Sequence, residues 1–378
     1  MGGAGISLQG VLTGDLDRLL AAEISAAHGP ADGVTSAGTW QPAPPGSAPG
    51  PGTYATPVAF RLAGGHAARA VRIAMTLAAA LRRAGWVESA TVFDGYLTVT
   101  VTRDALAALA VRVTEAGPAC ARSTALAGRT VPAPPGPGLA TAADWAQARR
   151  QLSDSIVGRL AEAAGAHILM SHLAVRHSVP APAQASALSN EPALKGVAAS
   201  AIPGAAVGPV ADALAFAGSW AITYALASVA PGTAAAPDPC AAAAHHLGNP
   251  AYAVRYAHAH AASTLRQAAD LGLRLGETAE FGPHLLAHPA ERWLLDELSW
   301  LPERVAGAAR RARPDVLTRY LERLAGAYFD CQEECPAMGP GVKTDGPGAV
   351  ARLWLAAAAG TALRAGLDLL GVNAPDRL

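Results

Sequence analysis

Lysine is nearly missing from this chain: Lys195 and Lys343 are the only two among 378 residues, so its basic charge rests on arginine. Charged residues are scarce at 15%, and acidic and basic groups balance at 29 each, so there is no basic surplus of the kind that usually marks a nucleic-acid binder. That balance argues against RNA binding unless the arginines gather on one face. Aromatics make up only 5%, and four cysteines in a chain this long point to reduced thiols rather than a disulfide framework. Cys331 and Cys335, four apart on an expected helix, share a face, but a second ligand pair at a recognisable spacing is missing. They are therefore expected to pack as small apolar groups, with no metal and no cofactor. Uninterrupted strongly apolar runs of membrane-spanning length are also lacking, and residues 1–20 carry no basic segment leading into an apolar one. No membrane partner is expected, and the cytoplasm is the expected location.

What the chain does have is alanine, 39 glycines and 29 prolines, which cut a 51% hydrophobic sequence into globular parts and loops. Leucines, isoleucine and alanines at three- and four-residue spacing predict a helix over 7–28, followed by a Gly/Pro-rich loop over 29–52. Helical periodicity resumes over 57–83, with Val58, Leu62, Val71, Met75 and Leu81 as core candidates. Residues 88–102 alternate apolar and polar around Asp94-Gly95, the pattern of two strands and a tight turn. Four prolines between Val131 and Gly138 mark a boundary, after which 145–166 reads as one helix and 179–209 as Pro/Ala/Ser-rich linker. Beyond Pro209 the pattern is helical throughout, over 210–230, 250–270, 289–312, 314–335 and 348–370. Prolines stand at or before most first turns, where a missing amide proton costs nothing. The expected organisation is an α+β domain over 1–130, a linker with one helix over 131–209, and an all-α bundle over 210–378.

The stretch Asn249-Pro-Ala-Tyr-Ala-Val-Arg-Tyr-Ala-His-Ala-His260 resembles a signature of the anticodon-binding domain of arginyl-tRNA synthetases. His288-Pro-Ala-Glu291, the series Leu294, Leu298 and Pro302, Tyr320 to Ala327, and Gly366 to Pro375 follow in that family's order, and Gly218 to Leu226 resembles the opening of the same domain. More weakly, Gly52 to Ala59, Leu62-Ala63 and Gly95-Tyr-Leu-Thr-Val99 are similar to the family's N-terminal extra domain. The resemblance implies an N-terminal domain and a DALR-type anticodon-binding bundle without the class I catalytic domain between them. A His-x-Gly-His sequence is absent, since His172 to His177 and His245-His246-Leu-Gly have the wrong spacing, and Lys195 stands alone where a Lys-Met-Ser-Lys-like loop would need two cations.

By the same resemblance the partner is tRNA, arginine tRNA first. Tyr252, Arg255, Tyr256, His258, Arg266, Asn373 and Arg377 are then candidates on the anticodon side, and Tyr96 and Thr98 on the elbow side. Tyr252 and Tyr256, four apart, share one helical face and offer rings to unstacked bases. Tyr256 and His258 are equally compatible with packing between helices, Arg255 and Arg266 with ordinary solvated charges, and Tyr54 with the core. Several positions depart from the family pattern: Thr98 in place of an asparagine, Trp220 and Thr223 in place of an aspartate and an arginine, Cys331-Gln332 in place of an aromatic pair, and His260 in place of an arginine. Three functions remain open. The first is a tRNA-binding adaptor or competitor without an aminoacylation site, the second a ligase-related enzyme working only with a catalytic partner enzyme, and the third an interaction scaffold whose RNA surface has decayed.

Overall fold

A computed structural model describes residues 12–28, 40–42, 50–132, 138–169, 208–231, 233, 235–276, 281–338 and 346–378. Residues 179–207 of the linker expected over 179–209, both lysines and most of the 29–52 loop lie outside these residues.

The N-terminal part is helix, sheet, helix. α1 (Leu12–His28) precedes β1 (Gln41–Pro42) and β2 (Thr53–Thr56); α2 (Val58–Leu62) and α3 (Ala67–Leu81) follow, then β3 (Val87–Phe93) and β4 (Tyr96–Val101). The four strands form an antiparallel sheet in the order β1-β2-β4-β3. Phe93 pairs with Tyr96 across a two-residue turn in which Asp94 and Gly95 take φ of 46° and 81°, the left-handed pair that an Asp-Gly hairpin favours. The helical stretch expected over 57–83 is broken at Gly64 and Gly65, both at positive φ. Its buried face is set by Ala70, Ile73, Ala74, Leu77 and Leu81, leaving Met75, expected in the core, 59% exposed and Val71 half-buried. The alanines at 70, 74 and 78 bring the backbone close to the sheet, and their small size hid the apolar stripe.

Next come α4 (Arg103–Ala107), α5 (Leu109–Ala116) and a short 3-10 turn over Gly117–Ala121, which pack toward the C-terminal helices. β5 (Thr130–Pro132), α6 (Trp145–Ala163) and β6 (His167–Leu169) make a small β-α-β unit whose two strands pair in parallel, as a helical crossover allows. The helix expected inside the linker is thus a packed element: Ile156 and Leu160 of α6 are fully buried in the main hydrophobic cluster.

The remaining elements are α7 (Pro209–Ala217), α8 (Ser219–Ala227), α9 (Pro239–Ala243), α10 (Pro250–Asp270), α11 (Pro289–Ser299), α12 (Leu301–Arg311), α13 (Pro314–Glu334) and α14 (Pro347–Leu370). Two helices expected as single pieces are each split. Gly218 at φ +83° bends α7 against α8 by 116°, and Trp300 separates α11 from α12. Among the described residues α14 alone is, as a single helix, long and apolar enough to cross a membrane, but 72% of its apolar window is buried inside the fold, where it packs on α10, α13 and α5.

One hydrophobic cluster runs from Leu16 to Ala374, so the sheet and the bundle share a core. Polar contacts also cross between them. Gly52 donates its amide to Asp296 Oδ1 (2.8 Å), the Tyr54 hydroxyl donates to Ser299 Oγ (2.9 Å), and the Tyr54 ring lies 5.2 Å from that of Trp300. Trp300 Nε1 donates to the other oxygen of Asp296 (3.2 Å), and Thr13 Oγ1 donates to the Ser299 carbonyl (3.1 Å). Tyr54 is therefore a core residue, fully buried at this seam.

Candidate nucleic-acid interface

α10 positions the candidate anticodon site. Asn249 caps it, accepting from the Ala251 amide (3.1 Å) while its own amide donates to the carbonyls of Ala242 (2.9 Å) and Ala244 (2.7 Å), which ties the preceding loop to the helix start. Pro250 fills the first turn. From this anchored start, Tyr252, Tyr256 and His260 recur every four residues along one face.

Their rings belong to a longer series. Trp220 of α8 stands 6.1 Å from His245, His245 stacks on Tyr252 at 5.4 Å, and Tyr252 stacks on Tyr256 at 5.8 Å. Tyr256 in turn stacks on Phe329 of α13 at 5.8 Å and leans on His260 at 6.1 Å. His245 is exposed, and Trp220, Tyr252, Tyr256, His260 and Phe329 are half-buried, so the series forms a surface strip rather than a core cluster. Trp220, His245 and Phe329 were not singled out as ring donors from the sequence. No periodic pattern joins them to α10, because they come from α8, a loop and α13.

The structure gives the cationic candidates different surroundings. Arg255 is only 6% exposed; its guanidinium lies 4.0 Å over the Trp220 ring and its Nε donates to the Asn373 carbonyl (3.2 Å). Burial pulls its pKa below the usual arginine value. His258, 4% exposed, sets Nδ1 against the Pro375 carbonyl at 3.1 Å, and burial lowers its pKa against the opposing pull of that carbonyl. Both side chains thus fasten the segment after α14 onto α10. Asn373 and Arg377 are exposed on that segment, and Arg266 lies half-buried two turns beyond Tyr256's neighbours.

On the sheet, Tyr96 is half-buried and meets Phe60 edge-on at 5.6 Å. Thr98 is 8% exposed, in register between Ala55 and Thr91. Phe93, at the other side of the turn, is 74% exposed and was missed because it reads as an ordinary strand residue. Among the described residues no cluster of three or more metal-ligating side chains occurs, and burial pushes the thiol of Cys331 up to about 12.

Residues 254–378 match the family model of the DALR anticodon binding domain. The arginine–tRNA ligase of Frankia alni is 44% identical over 131 residues, covering 34% of this chain and 23% of that protein. That of Paenarthrobacter aurescens is 35% identical over 167 residues, 44% of this chain and 30% of its relative. The matched segment therefore spans about a quarter of the curated relatives' length. The solved arginyl-tRNA synthetase of Thermus thermophilus shares the fold with a TM-score of 0.61 at 15% identity, over 96% of this chain and 99% of that one. The resemblance read from the sequence is found again in the C-terminal region, which matches the DALR anticodon binding domain, and the fold is similar to that of the solved arginyl-tRNA synthetase.

Proposed function

We propose that this chain is a tRNA-binding protein, acting as an adaptor for a partner enzyme or as a competitor of a full synthetase rather than as a ligase itself. The observation that carries the reading is the ring strip from Trp220 to Phe329, which runs into the DALR-matched residues at Tyr256 and Phe329: exposed and half-buried rings in series suit the unstacked bases of an anticodon loop. Arg266 on α10 and Arg377 after α14 are the candidates for phosphates, and Tyr96 with Thr98 remain the candidates at the elbow. Arginine tRNA is the partner suggested by the relatives, which are arginine–tRNA ligases. The absence of both ATP-handling signatures from the sequence supports a role without aminoacylation, in the cytoplasm where tRNA is charged.

The test is binding of the full chain to arginine tRNA across a salt series. Saturable binding that weakens with salt is expected, with a loss of about tenfold in Tyr256→Ala, since one base–ring contact is worth about 1–3 kcal/mol. A melting profile for the variant separates loss of the ring from loss of the fold. No binding at low salt overturns the reading and leaves the interaction scaffold.

A further inference from the structure

α6 carries two stripes side by side. Ala148, Leu152, Ile156 and Leu160 are buried in the shared core, while Gln151, Ser155 and Arg159, also four residues apart, line a cavity of about 190 Å³. Thr223 of α8, and Leu370 with Gly371 at the C-terminal end of α14, bound the cavity on its other sides. Thr223 and Leu370 are buried and Gly138 and Gly371 are exposed, so a deep floor opens outward beside two glycines. Arg159 donates through Nε to the Leu369 carbonyl (2.8 Å) and through Nη1 to Ser155 Oγ (2.8 Å), which fixes its head between α6 and the end of α14. A Cβ on Gly371 would stand 3.0 Å from the remaining nitrogen, Nη2, so the missing side chain leaves that nitrogen room for a ligand. Burial alone lowers the Arg159 pKa, and the lining contains no aspartate or glutamate to balance its charge. A half-buried guanidinium in such a wall favours an anionic acceptor. Gln151 makes the opposite demand: its Oε1 is buried without a hydrogen-bond partner and requires a donor. The end of α14 adds the negative pole of a long helix, which favours a cation.

We propose that this cavity binds a small α-amino acid as its zwitterion, with the carboxylate on Arg159 and the ammonium on Gln151 Oε1 and the end of α14. A simple carboxylate would answer Arg159 and leave the Gln151 oxygen without a donor, and a simple amine would meet the guanidinium with like charge. The volume equals about six waters at roughly 30 Å³ each, which suits a short side chain. A cationic side chain would find no carboxylate in the lining. This site does not depend on the tRNA-binding reading.

The experiment titrates the full chain with L-alanine and L-serine by calorimetry, with acetate, methylammonium and L-arginine as controls. Saturable binding of alanine or serine is expected with a Kd of about 1 mM or tighter, at least about tenfold tighter than any control. No saturation by either amino acid, or a control that binds as well as they do, overturns the proposal. Arg159→Met removes the carboxylate's partner but also the tie to Leu369, so Gln151→Met carries the decision. It replaces a buried oxygen that lacks a partner, so the free variant should melt at or above the wild-type temperature while binding falls by about tenfold or more. Unchanged binding in Gln151→Met overturns the proposal, and so does a lower melting temperature of the free variant, which would show that the amide serves the fold.

Discussion

Asp296 illustrates what a single residue does at the seam. Its carboxylate accepts from the Gly52 amide and the Trp300 indole, yet burial outweighs both donors and raises its pKa from 3.8 to about 6. A carboxyl whose folded pKa lies above its unfolded one stays protonated in the fold after the unfolded chain has ionised. Its contribution to stability is therefore full below pH about 4, falls between about 4 and 6, and is gone above that window. The difference between wild type and Asp296→Asn, measured by urea unfolding at a series of pH values, should change by roughly 3 kcal/mol across that interval and be flat above it. A second residue prediction concerns the hairpin. A Cβ on Gly95 would lie 2.6 Å from the Phe60 ring at a φ of +81°, so Gly95→Ala should lower stability by roughly 1–3 kcal/mol and displace the ring that supports Tyr96. At this scale the sequence made Tyr252 and Tyr256 legible through their four-residue spacing. The commitments of Arg255 and His258 were not legible, because their partners, Asn373 and Pro375, lie more than a hundred residues away.

Elements were legible where a local rule fixes them. The Asp-Gly turn set the β3–β4 register, and prolines in the first turn marked α10, α11, α13 and α14. They were misread where a bend depends on tertiary packing: Gly218 turns α7 away from α8, and the chain breaks at Trp300 beside Asp296, both inside unbroken helical periodicity. The three-residue strands flanking α6 carry no readable alternation and pair only because α6 crosses between them. The cap of α10 gives the prediction at this scale. Asn249→Ala should cost roughly 1–3 kcal/mol in urea unfolding, since it removes the cap and leaves the carbonyls of Ala242 and Ala244, at the end of α9, without this donor. Asn249→Asp keeps the capping oxygen but sets a carboxylate against those carbonyls, so it should not restore stability. Full rescue by aspartate would show that only the cap matters.

For the molecule as a whole, neutral net charge does not preclude a nucleic-acid surface, because contact can rest on rings with few phosphates. A shared core joins the sheet to the bundle, so the hairpin and the α10 strip are carried on one folded body. In the proposed function, tRNA is held through its anticodon loop on that strip, which nuclease protection of arginine tRNA by the full chain can decide. Protection of the anticodon loop, lost in Tyr256→Ala, with the acceptor end left accessible to a partner enzyme, is the expected result; an anticodon loop cleaved as freely with the protein bound as without it would overturn the proposal.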